Sequence, residues 1–291
     1  MSRSTYVVPP SYLPLIGCAA LFSLAIGFAG WLHNDEFAGY IAIFGLLLLL
    51  LMMFLWFSKV IAEVKENNLD ADKVIDASYR WSMGWFIFSE FMFFGVFFGV
   101  LFFIRVLVIP YLSGGIEEGL MTHFVLWPNF SDIWPMLTPP DPMAITGPKE
   151  AMPAWGIPVI NTVVLLTSGV TITVAHWGII KKKKTQAVVF QSLTILLGIL
   201  FLFMQVHEYK EAYNDLGLTL GAGAYGNTFF MLTGFHGFHV TLGTIMLIVI
   251  LYRMIKNHFT PKRHFAFEAV AWYWHFVDVV WLGLFIFVYW L

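Results

Sequence analysis

The sequence predicts an all-α protein that crosses a membrane seven times. Two observations carry this prediction. Of the 291 residues, 59% are hydrophobic and only 12% are charged, and the hydrophobic residues fall into seven long runs. A helix needs about 20 apolar residues to cross a bilayer, and each run has about that length. A membrane β-barrel would show alternating segments of about ten residues instead, and a water-soluble domain carries more charge.

Short polar or proline-rich connections separate most of the runs, and we find no internal repeat. We therefore expect one membrane domain over residues 1–291. The predicted spans lie at 14–32, 38–58, 81–109, 157–179, 187–207, 228–252 and 270–290, with a long outer connection at 110–156. The polar segment 59–79 is predicted to be a cytoplasmic helical extension that turns near Asn67 and Asn68.

The distribution of positive charge predicts the orientation of the chain. All but three of the 16 Lys and Arg residues lie in the N-terminal tail and in the second, fourth and sixth connections. Positive charge is enriched in cytoplasmic loops, so the N-terminus is predicted to be cytoplasmic and the C-terminus periplasmic. The run from Lys181 to Lys184 is interpreted as a topological anchor and not as a nucleic-acid patch. The single cysteine, Cys18, excludes a disulfide framework and a cysteine-clustered metal site.

The long outer connection, 110–156, contains Trp127, Trp134 and Trp155 together with many prolines. Tryptophan is enriched at the level of the membrane interface. We therefore expect this segment to lie along the interface or to dock against a partner, because a freely mobile loop has no need of three tryptophans.

Glu90 is the ionisable residue in the apolar stretch FIFSEFMFFGVFFG, residues 86–99. Ten residues separate it from Arg80, which marks the cytoplasmic boundary. A rise of 1.5 Å per residue then places it about 15 Å deep, near the bilayer midplane. Its own helical face is apolar, and the Gly95–Gly99 pair on another side is predicted to be the helix-packing seam. Burial without a cationic partner favours the neutral acid, so we predict a protonated carboxyl group at neutral pH.

Two interpretations of Glu90 stay open at this level. An acid inside the membrane is by default a candidate for a proton or ion route. The alternative is a protonated carboxyl group that forms a structural hydrogen bond across a helix interface.

Four further polar residues occur at three-residue spacing in the last two spans. FHGFH holds His236 and His239, and WHFVD holds His275 and Asp278. Imidazole suits haem and copper, but a metal site needs three or four convergent ligands or an axial pair. Two residues on one helical face supply neither. We predict a buried polar network between helices and no metal site; a contact between Asp278 and Glu90, at similar predicted depth, is also considered.

Residues at the ends of the spans are expected to face water or lipid headgroups. His176 ends the fourth span, and His207 and Glu208 end the fifth, so all three are interpreted as solvated or headgroup-bonded. A second group lies at the cytoplasmic interface and has the charge or ring character that anionic headgroups attract. It comprises Trp56, Arg80, Arg253, Lys256 and His258.

Several long motifs, in the same order, resemble subunit III of cytochrome c oxidase. They cover the third to seventh spans. The motifs are RWSMGWFIFSEFMFFGVFF, NTVVLLTSGVTITVAHW, HEYKEA, YGNTFFMLTGFHGFHVTLGT and HFAFEAVAWYWHFVDVVWLGLFIFVYW. The first span matches only loosely, through PPSYLPL, and segment 59–79 departs from the family pattern.

This resemblance implies seven helices, with the first two split from the other five by a cleft filled with phospholipid. It implies no catalytic residue, haem or copper in this chain; those centres belong to subunits I and II, and subunit I is the direct contact. The implied role is to support proton uptake and to protect the catalytic subunit of an enzyme that oxidises cytochrome c and reduces oxygen. Glu90 matches the family's membrane carboxylate, and Arg253 and Trp56 match positions associated with cleft lipid.

The resemblance also bears on location. The connection 110–156 is longer than in mitochondrial versions, which favours a bacterial plasma membrane over the mitochondrial inner membrane. The tryptophans of this loop make it a candidate contact with other respiratory complexes.

Other functional classes stay open. The nearest is subunit III of a quinol oxidase, although that subunit typically lacks the first two spans. A proton-coupled transporter would use Glu90 and Asp278 as carriers, but transporters often show inverted repeats and broken helices. A membrane electron carrier would hold haem through His236, His239 and His275.

Overall fold

A computed structural model describes residues 10–66 and 73–291 of the chain. The described residues form seven helices long and apolar enough to cross a membrane, which confirms the predicted all-α fold with seven spans. They are α1 (Leu13–Leu32), α2 (Ala38–Glu66), α3 (Lys73–Leu112), α4 (Ile157–Ile180), α5 (Lys184–Asn214), α6 (Gly223–Ile255) and α7 (Phe265–Trp290). A short helix, Leu120–Leu126, lies between α3 and α4.

Most of these helices extend beyond the apolar runs that predict them. α2 continues through charged residues to Glu66, and α3 begins at Lys73, so the segment on each side of the predicted turn is helical. The turn near Asn67 and Asn68 lies outside the described residues. α5 ends at Asn214 and not near residue 207, because backbone hydrogen bonds continue a helix into polar sequence that hydropathy does not mark.

The chain forms two compact units, residues 1–76 and 77–291. In the first unit, α1 and α2 cross through small residues. A Cβ atom on Gly45 would lie 2.6 Å from the backbone nitrogen of Leu24, and one on Gly27 would collide with the backbone of Ala42. Glycine therefore permits a backbone approach that a larger residue prevents. The single membrane domain expected from the sequence stays a prediction.

The core of the second unit lies around α7, whose Trp274 and Trp281 are fully buried. The indole of Trp274 fits between Gly198 of α5 and Gly243 of α6, where an added Cβ would lie 2.9 Å and 2.8 Å from the ring. The Trp274 Nε1–H donates to the hydroxyl oxygen of Ser168 at 2.8 Å. A large apolar ring with one satisfied polar group thus joins three other helices.

Hydroxyl groups of α4 make two further contacts across helix interfaces. The hydroxyl groups of Thr171 and Thr194 lie 2.7 Å apart, and the Nε1–H of Trp281 donates to Thr162 Oγ1 at 2.9 Å. Small hydroxylated residues let membrane helices approach closely and satisfy buried donors. They hold α4 against α5 and α7.

Large apolar side chains are exposed along the long helices, including Phe22, Leu47, Phe91, Phe203 and Val279. In water, such surfaces would drive association. Lipid tails are as apolar as these side chains, so the same surface costs nothing in hydrocarbon. The exposure fits a chain surrounded by lipid or by other membrane subunits.

The Gly95–Gly99 pair does not form the contact of α3 with the other helices of the second unit, and its predicted role as a packing seam stays a prediction. A Cβ atom on either glycine would meet no atom of another segment within 4 Å in the described part of the chain. Aromatic residues form the contact instead: the ring centroids of Phe93 and Phe235 on α6 lie 5.0 Å apart, and Phe94 is buried. These rings fill the interface and hold the helices apart, so close backbone approach is not used.

Arg105 joins the C-terminal ends of α3 and α7. It lies in a π-helical turn of α3, Ile104–Val108, and its guanidinium donates to the carbonyl oxygens of Phe287 at 3.3 Å and Leu291 at 2.8 Å. These acceptors lie in and just after a second π turn, Phe285–Trp290. The contact fixes α3 along α7 and thereby positions the Glu90 side of α3.

The three tryptophans of the outer connection differ in burial. The Trp134 ring meets Tyr225 at 5.6 Å between centroids and the guanidinium of Arg105 at 5.2 Å. Trp127 packs against the core, whereas Trp155 is 74% exposed. Two of the three therefore stabilise this chain itself, and Trp155 is left as a surface residue for the predicted docking.

Candidate functional site

Glu90 on α3 pairs with His239 on α6. The Nε2 atom of His239 lies 2.8 Å from Oε2 of Glu90, and the side chains are 8% and 22% exposed. The expectation that Glu90 has no basic partner is therefore wrong. The helical face of Glu90 is apolar as predicted, but the imidazole comes from a helix 149 residues further along the chain.

The hydrogen bonds of His239 limit where its protons lie. Its Nδ1 atom is 2.6 Å from the carbonyl oxygen of Phe235, and a carbonyl oxygen can only accept, so Nδ1 carries a hydrogen. The Nε2···Oε2 contact with Glu90 then needs one proton between the two atoms. Either a neutral carboxyl group donates to Nε2, or an imidazolium donates to a carboxylate. The pair is electrically neutral in both forms.

An aromatic wall surrounds this pair. The His239 ring lies 5.0 Å from Phe94 and 5.9 Å from Phe93 between centroids, and it stacks on Tyr273 at 6.4 Å. Rings exclude water and leave few polar groups to solvate separated charge. The proton between Glu90 and His239 therefore has a short, water-poor path between two acceptors of different chemistry.

His236, three residues before His239, has a different environment. It is fully buried, its Nε2–H donates to the carbonyl oxygen of Val277 at 3.2 Å, and Nδ1 has no hydrogen-bond partner among the described residues. Its ring packs 5.1 Å from Trp281 and 5.6 Å from Phe201 between centroids. His236 is a neutral packing residue that joins α6 to α7.

His275 and Asp278 form a third set on the outward side of α7. The Nδ1 atom of His275 lies 3.5 Å from Asp278 Oδ2. The Thr173 hydroxyl donates to the Gly169 carbonyl, so it accepts from the His275 Nε2–H at 3.3 Å. A Cβ on Gly169 would collide with Asp278 Oδ2, so glycine at this position makes room for the carboxylate.

The four residues predicted as one buried network thus lie in three sets, which corrects that prediction. His239 turns towards Glu90, His236 towards the α6–α7 core, and His275 with Asp278 towards a shallow groove of α4 and α7. His275 is 45% exposed, so it is not buried. Asp278 and Glu90 do not contact each other. Asp278 lies next to His275, and Glu90 pairs with His239.

Glu208 is also placed differently from the expectation. It is fully buried and accepts a hydrogen bond from the Tyr289 hydroxyl at 2.5 Å, while its Oε2 has no partner among the described residues. The interpretation as a solvated interface residue is wrong, because α5 continues for more than a turn beyond this position. Its neighbour His207 is exposed as expected.

The predicted headgroup residues lie in the polar halves of α2 and α3, in the last turn of α6 and in the connection after it. Arg80 forms an ion pair with Glu268 and lies 4.9 Å from the centre of the Phe265 ring. The Arg253 guanidinium lies 4.8 Å from the Phe259 ring, and Lys256 is exposed. Trp56 is half exposed and His258 partly buried. Binding of lipid by these residues stays a prediction.

The comparison with known proteins decides the family. The family model for cytochrome c oxidase subunit III matches residues 3–291. The chain belongs to the cytochrome c oxidase subunit III family. The resemblance found in the motifs of the last five spans is thereby confirmed, and it extends over the first two spans as well.

Curated relatives share the whole length of the chain. Cytochrome c oxidase subunit 3 of Latimeria chalumnae is 38% identical over 292 residues, which cover 99% of this chain and 97% of the relative. The subunit of Marchantia polymorpha is 39% identical over 285 residues, with 98% and 95% covered. That of Branchiostoma lanceolatum is 37% identical over 285 residues, with the same coverage.

Membership of the cytochrome c oxidase subunit III family defines the assembly. The chain is a multi-pass membrane subunit of the cytochrome c oxidase complex, a respiratory oxidoreductase, and it acts together with other oxidase subunits. Subunits of this family carry no redox centre of their own.

Proposed function

We propose that the chain is a non-catalytic core subunit of a proton-pumping cytochrome c oxidase, in which it supports proton uptake and protects the catalytic subunit. The Glu90–His239 pair carries the proposal. A carboxyl group and an imidazole share one proton at 2.8 Å inside an aromatic wall, and either group can hold that proton without changing the net charge. Movement of the proton within the pair places no isolated charge in hydrocarbon, and the pair stays neutral overall when one proton enters as another leaves.

The other parts of the oxidase belong to this proposal. Subunit I is the direct neighbour and subunit II a further partner; both hold the haem and copper centres, and the electron donor is cytochrome c. Trp155, on the outer connection, is the residue through which we propose contact with other respiratory complexes, because it is 74% exposed.

We also propose that phospholipid binds at the cytoplasmic ends of the helices. Arg253, Lys256 and His258 lie close together in sequence at the end of α6, and the charged groups of the first two can neutralise a phosphate. Trp56 supplies an exposed ring at the interface. The lipid-filled cleft that the resemblance implies stays part of this proposal.

The location proposed is a bacterial plasma membrane, with the N-terminus cytoplasmic. The positive charge at Lys181 to Lys184 supports this orientation. Cysteine labelling of intact cells tests it: a membrane-impermeant maleimide should label Met143→Cys, in the outer connection, and should not label Lys182→Cys. Labelling of Lys182→Cys alone would reverse the orientation.

Glu90→Gln in the assembled oxidase tests the function. The amide can donate a hydrogen bond to His239 Nε2, so we expect assembly and haem content to be retained and oxygen reduction to stay within about twofold, a change of about 0.4 kcal/mol in a barrier. Proton uptake, followed by a pH-sensitive dye after rapid mixing with oxygen, should become slower because the amide cannot release the proton.

Ser89→Ala is the matched control. Its hydroxyl donates to the carbonyl oxygen of Phe86 on its own helix, so both rates should equal those of the unchanged protein. Loss of oxygen reduction in Glu90→Gln would show that the chain is catalytic, and unchanged proton uptake in Glu90→Gln would remove the role of the pair.

A further inference from the structure

Three metal-binding side chains converge at the end of the helices that also carries Lys181 to Lys184. His176 lies in the last turns of α4, and His264 and Glu268 lie four residues apart at the start of α7. Glu268 Oε1 is 2.9 Å from His264 Nε2 and 3.8 Å from His176 Nε2. One ligand atom from each residue lies within 4.8 Å of the other two.

The hydrogen bonds around His264 leave a place for a cation. Its Nδ1–H donates to the carbonyl oxygen of Thr260 at 3.0 Å, because a carbonyl oxygen only accepts. The Nε2 lone pair of neutral His264 then faces Oε1 of Glu268 at 2.9 Å. Both atoms are hydrogen-bond acceptors, so they repel each other. A proton or a metal ion between them removes this repulsion. An imidazole whose Nδ1–H donates to a backbone carbonyl is also the usual second-shell arrangement of a metal-bound histidine.

His176 adds the third ligand atom. Its Nε2 is buried and has no hydrogen-bond partner among the described residues, although it points to the same carboxylate. The rings of His176 and His264 lie 5.0 Å apart between centroids, inclined by 59°. One proton can satisfy one of these nitrogens, whereas a metal ion can satisfy both together with the carboxylate oxygen.

The separations fit tetrahedral zinc. With Zn–N and Zn–O distances of about 2.0–2.1 Å, tetrahedral ligand atoms lie about 3.3 Å apart. The two measured separations from Oε1, 2.9 Å and 3.8 Å, fall on either side of this value. Small side-chain rotations are enough to reach it, and two imidazoles with one carboxylate are ligands that zinc accepts in proteins, with water as the fourth.

We propose that His176, His264 and Glu268 bind one zinc ion, which links α4 to α7. Arg80 contacts the other oxygen of Glu268 and so leaves Oε1 directed at the two imidazoles. The positive charge of Arg80 weakens the affinity for a cation, which makes this a site that fills and empties with the zinc concentration. The proposal does not depend on the proposed proton role of Glu90.

Zinc binding to the assembled complex tests the site. Unchanged complex is titrated with Zn²⁺ in competition with a chromophoric chelator, next to complexes with His176→Asn and His264→Asn. Other subunits add background zinc, so the measured quantity is the difference between complexes. We expect each variant to bind one zinc ion per complex at least about tenfold more weakly, so that this ion is lost in the titration. The loss of a second-shell partner alone lowers metal affinity by about that factor.

His207→Asn is the control, since it removes an exposed imidazole near the far end of α5, away from the three ligands. It should bind as much zinc as the unchanged complex. His176→Asn leaves the His264–Glu268 contact intact, so it decides the question if His264→Asn does not assemble. X-ray absorption of the zinc-loaded unchanged complex should show a nitrogen shell near 2.0 Å, the Zn–N distance. The signal of this shell should be weaker in the His176→Asn complex. Equal zinc binding by all four complexes would show that a shared proton, and not a metal, satisfies the cluster.

Discussion

Glu90 and Glu208 both lie in spanning helices of the second unit, and their hydrogen-bond partners differ. Glu90 faces the imidazole of His239 at 2.8 Å, and Glu208 accepts from the phenol of Tyr289 at 2.5 Å. In water, the ordinary pKa values of imidazole and carboxyl groups differ by about 2, and those of phenol and carboxyl groups by about 6. We therefore propose that a proton exchanges between Glu90 and His239, whereas Tyr289 keeps its own proton.

On this difference we base the proposal that Glu90 is a functional acid and Glu208 a structural one. Glu208 is fully buried and ties α5 to α7. Glu90 is partly exposed at the surface of the unit, and we propose that its proton leaves the pair on this side. In the sequence alone, Glu90 and Glu208 look alike, because each is an acid in or beside an apolar run. Their hydrogen-bond partners, His239 and Tyr289, distinguish them.

The largest effect on stability is expected from Tyr289→Phe. The change removes the donor to a fully buried carboxyl group whose second oxygen is already without a partner in the described chain. Leaving such a group unsatisfied costs about 1–3 kcal/mol. Thermal unfolding of the assembled complex should show this loss, with proton uptake unchanged. A Tyr289→Phe complex that is fully stable but slow in proton uptake would give Glu208 the role assigned to Glu90.

A smaller effect is expected from a double-mutant cycle on the other pair. Glu90→Gln, His239→Asn and the double variant should show an interaction free energy of about 1 kcal/mol in unfolding, within the range of residues in direct contact. The pair is partly exposed, which lowers the value below that of the Glu208 contact. Additive effects of the two single variants would contradict the contact.

The smallest effect is expected from Glu208→Gln. Its amide oxygen still accepts the hydrogen bond from Tyr289, so the free energy of unfolding should change by less than about 1 kcal/mol. Proton uptake should also be unchanged, in contrast to Glu90→Gln. The pH-sensitive dye measures proton uptake in the Glu208→Gln and Glu90→Gln complexes. Slower proton uptake in both complexes would remove the distinction between the two acids.

Much of the fold could be predicted from the sequence, because a span is a local property. Seven apolar runs define the seven helices, and the distance from Arg80 places Glu90 deep in α3. Helix ends were less accurate: α5 runs to Asn214, and this longer helix is what buries Glu208. Hydropathy marks the hydrocarbon layer and does not mark where backbone hydrogen bonding ends.

The partners of the candidate site could not be predicted in the same way. His239 lies 149 residues from Glu90, and nothing in the spacing of either motif orients α3 against α6. The Gly95–Gly99 motif did not indicate the face of α3 that packs on α6, because small residues permit a close approach but do not require one. The neighbouring phenylalanines contribute more buried area, and they determine which face of α3 packs.

The most direct test of the account is the protonation of the two histidines of α6. His239 donates from Nδ1 to Phe235, and His236 donates from Nε2 to Val277, so they should carry protons on opposite ring nitrogens. Nitrogen-15 solid-state NMR of the labelled chain in lipid, assigned with His236→Asn, measures this. The account predicts a protonated Nδ1 on His239 whether Glu90 is charged or neutral, and a bare Nδ1 on His236. A bare Nδ1 on His239 would contradict the shared proton.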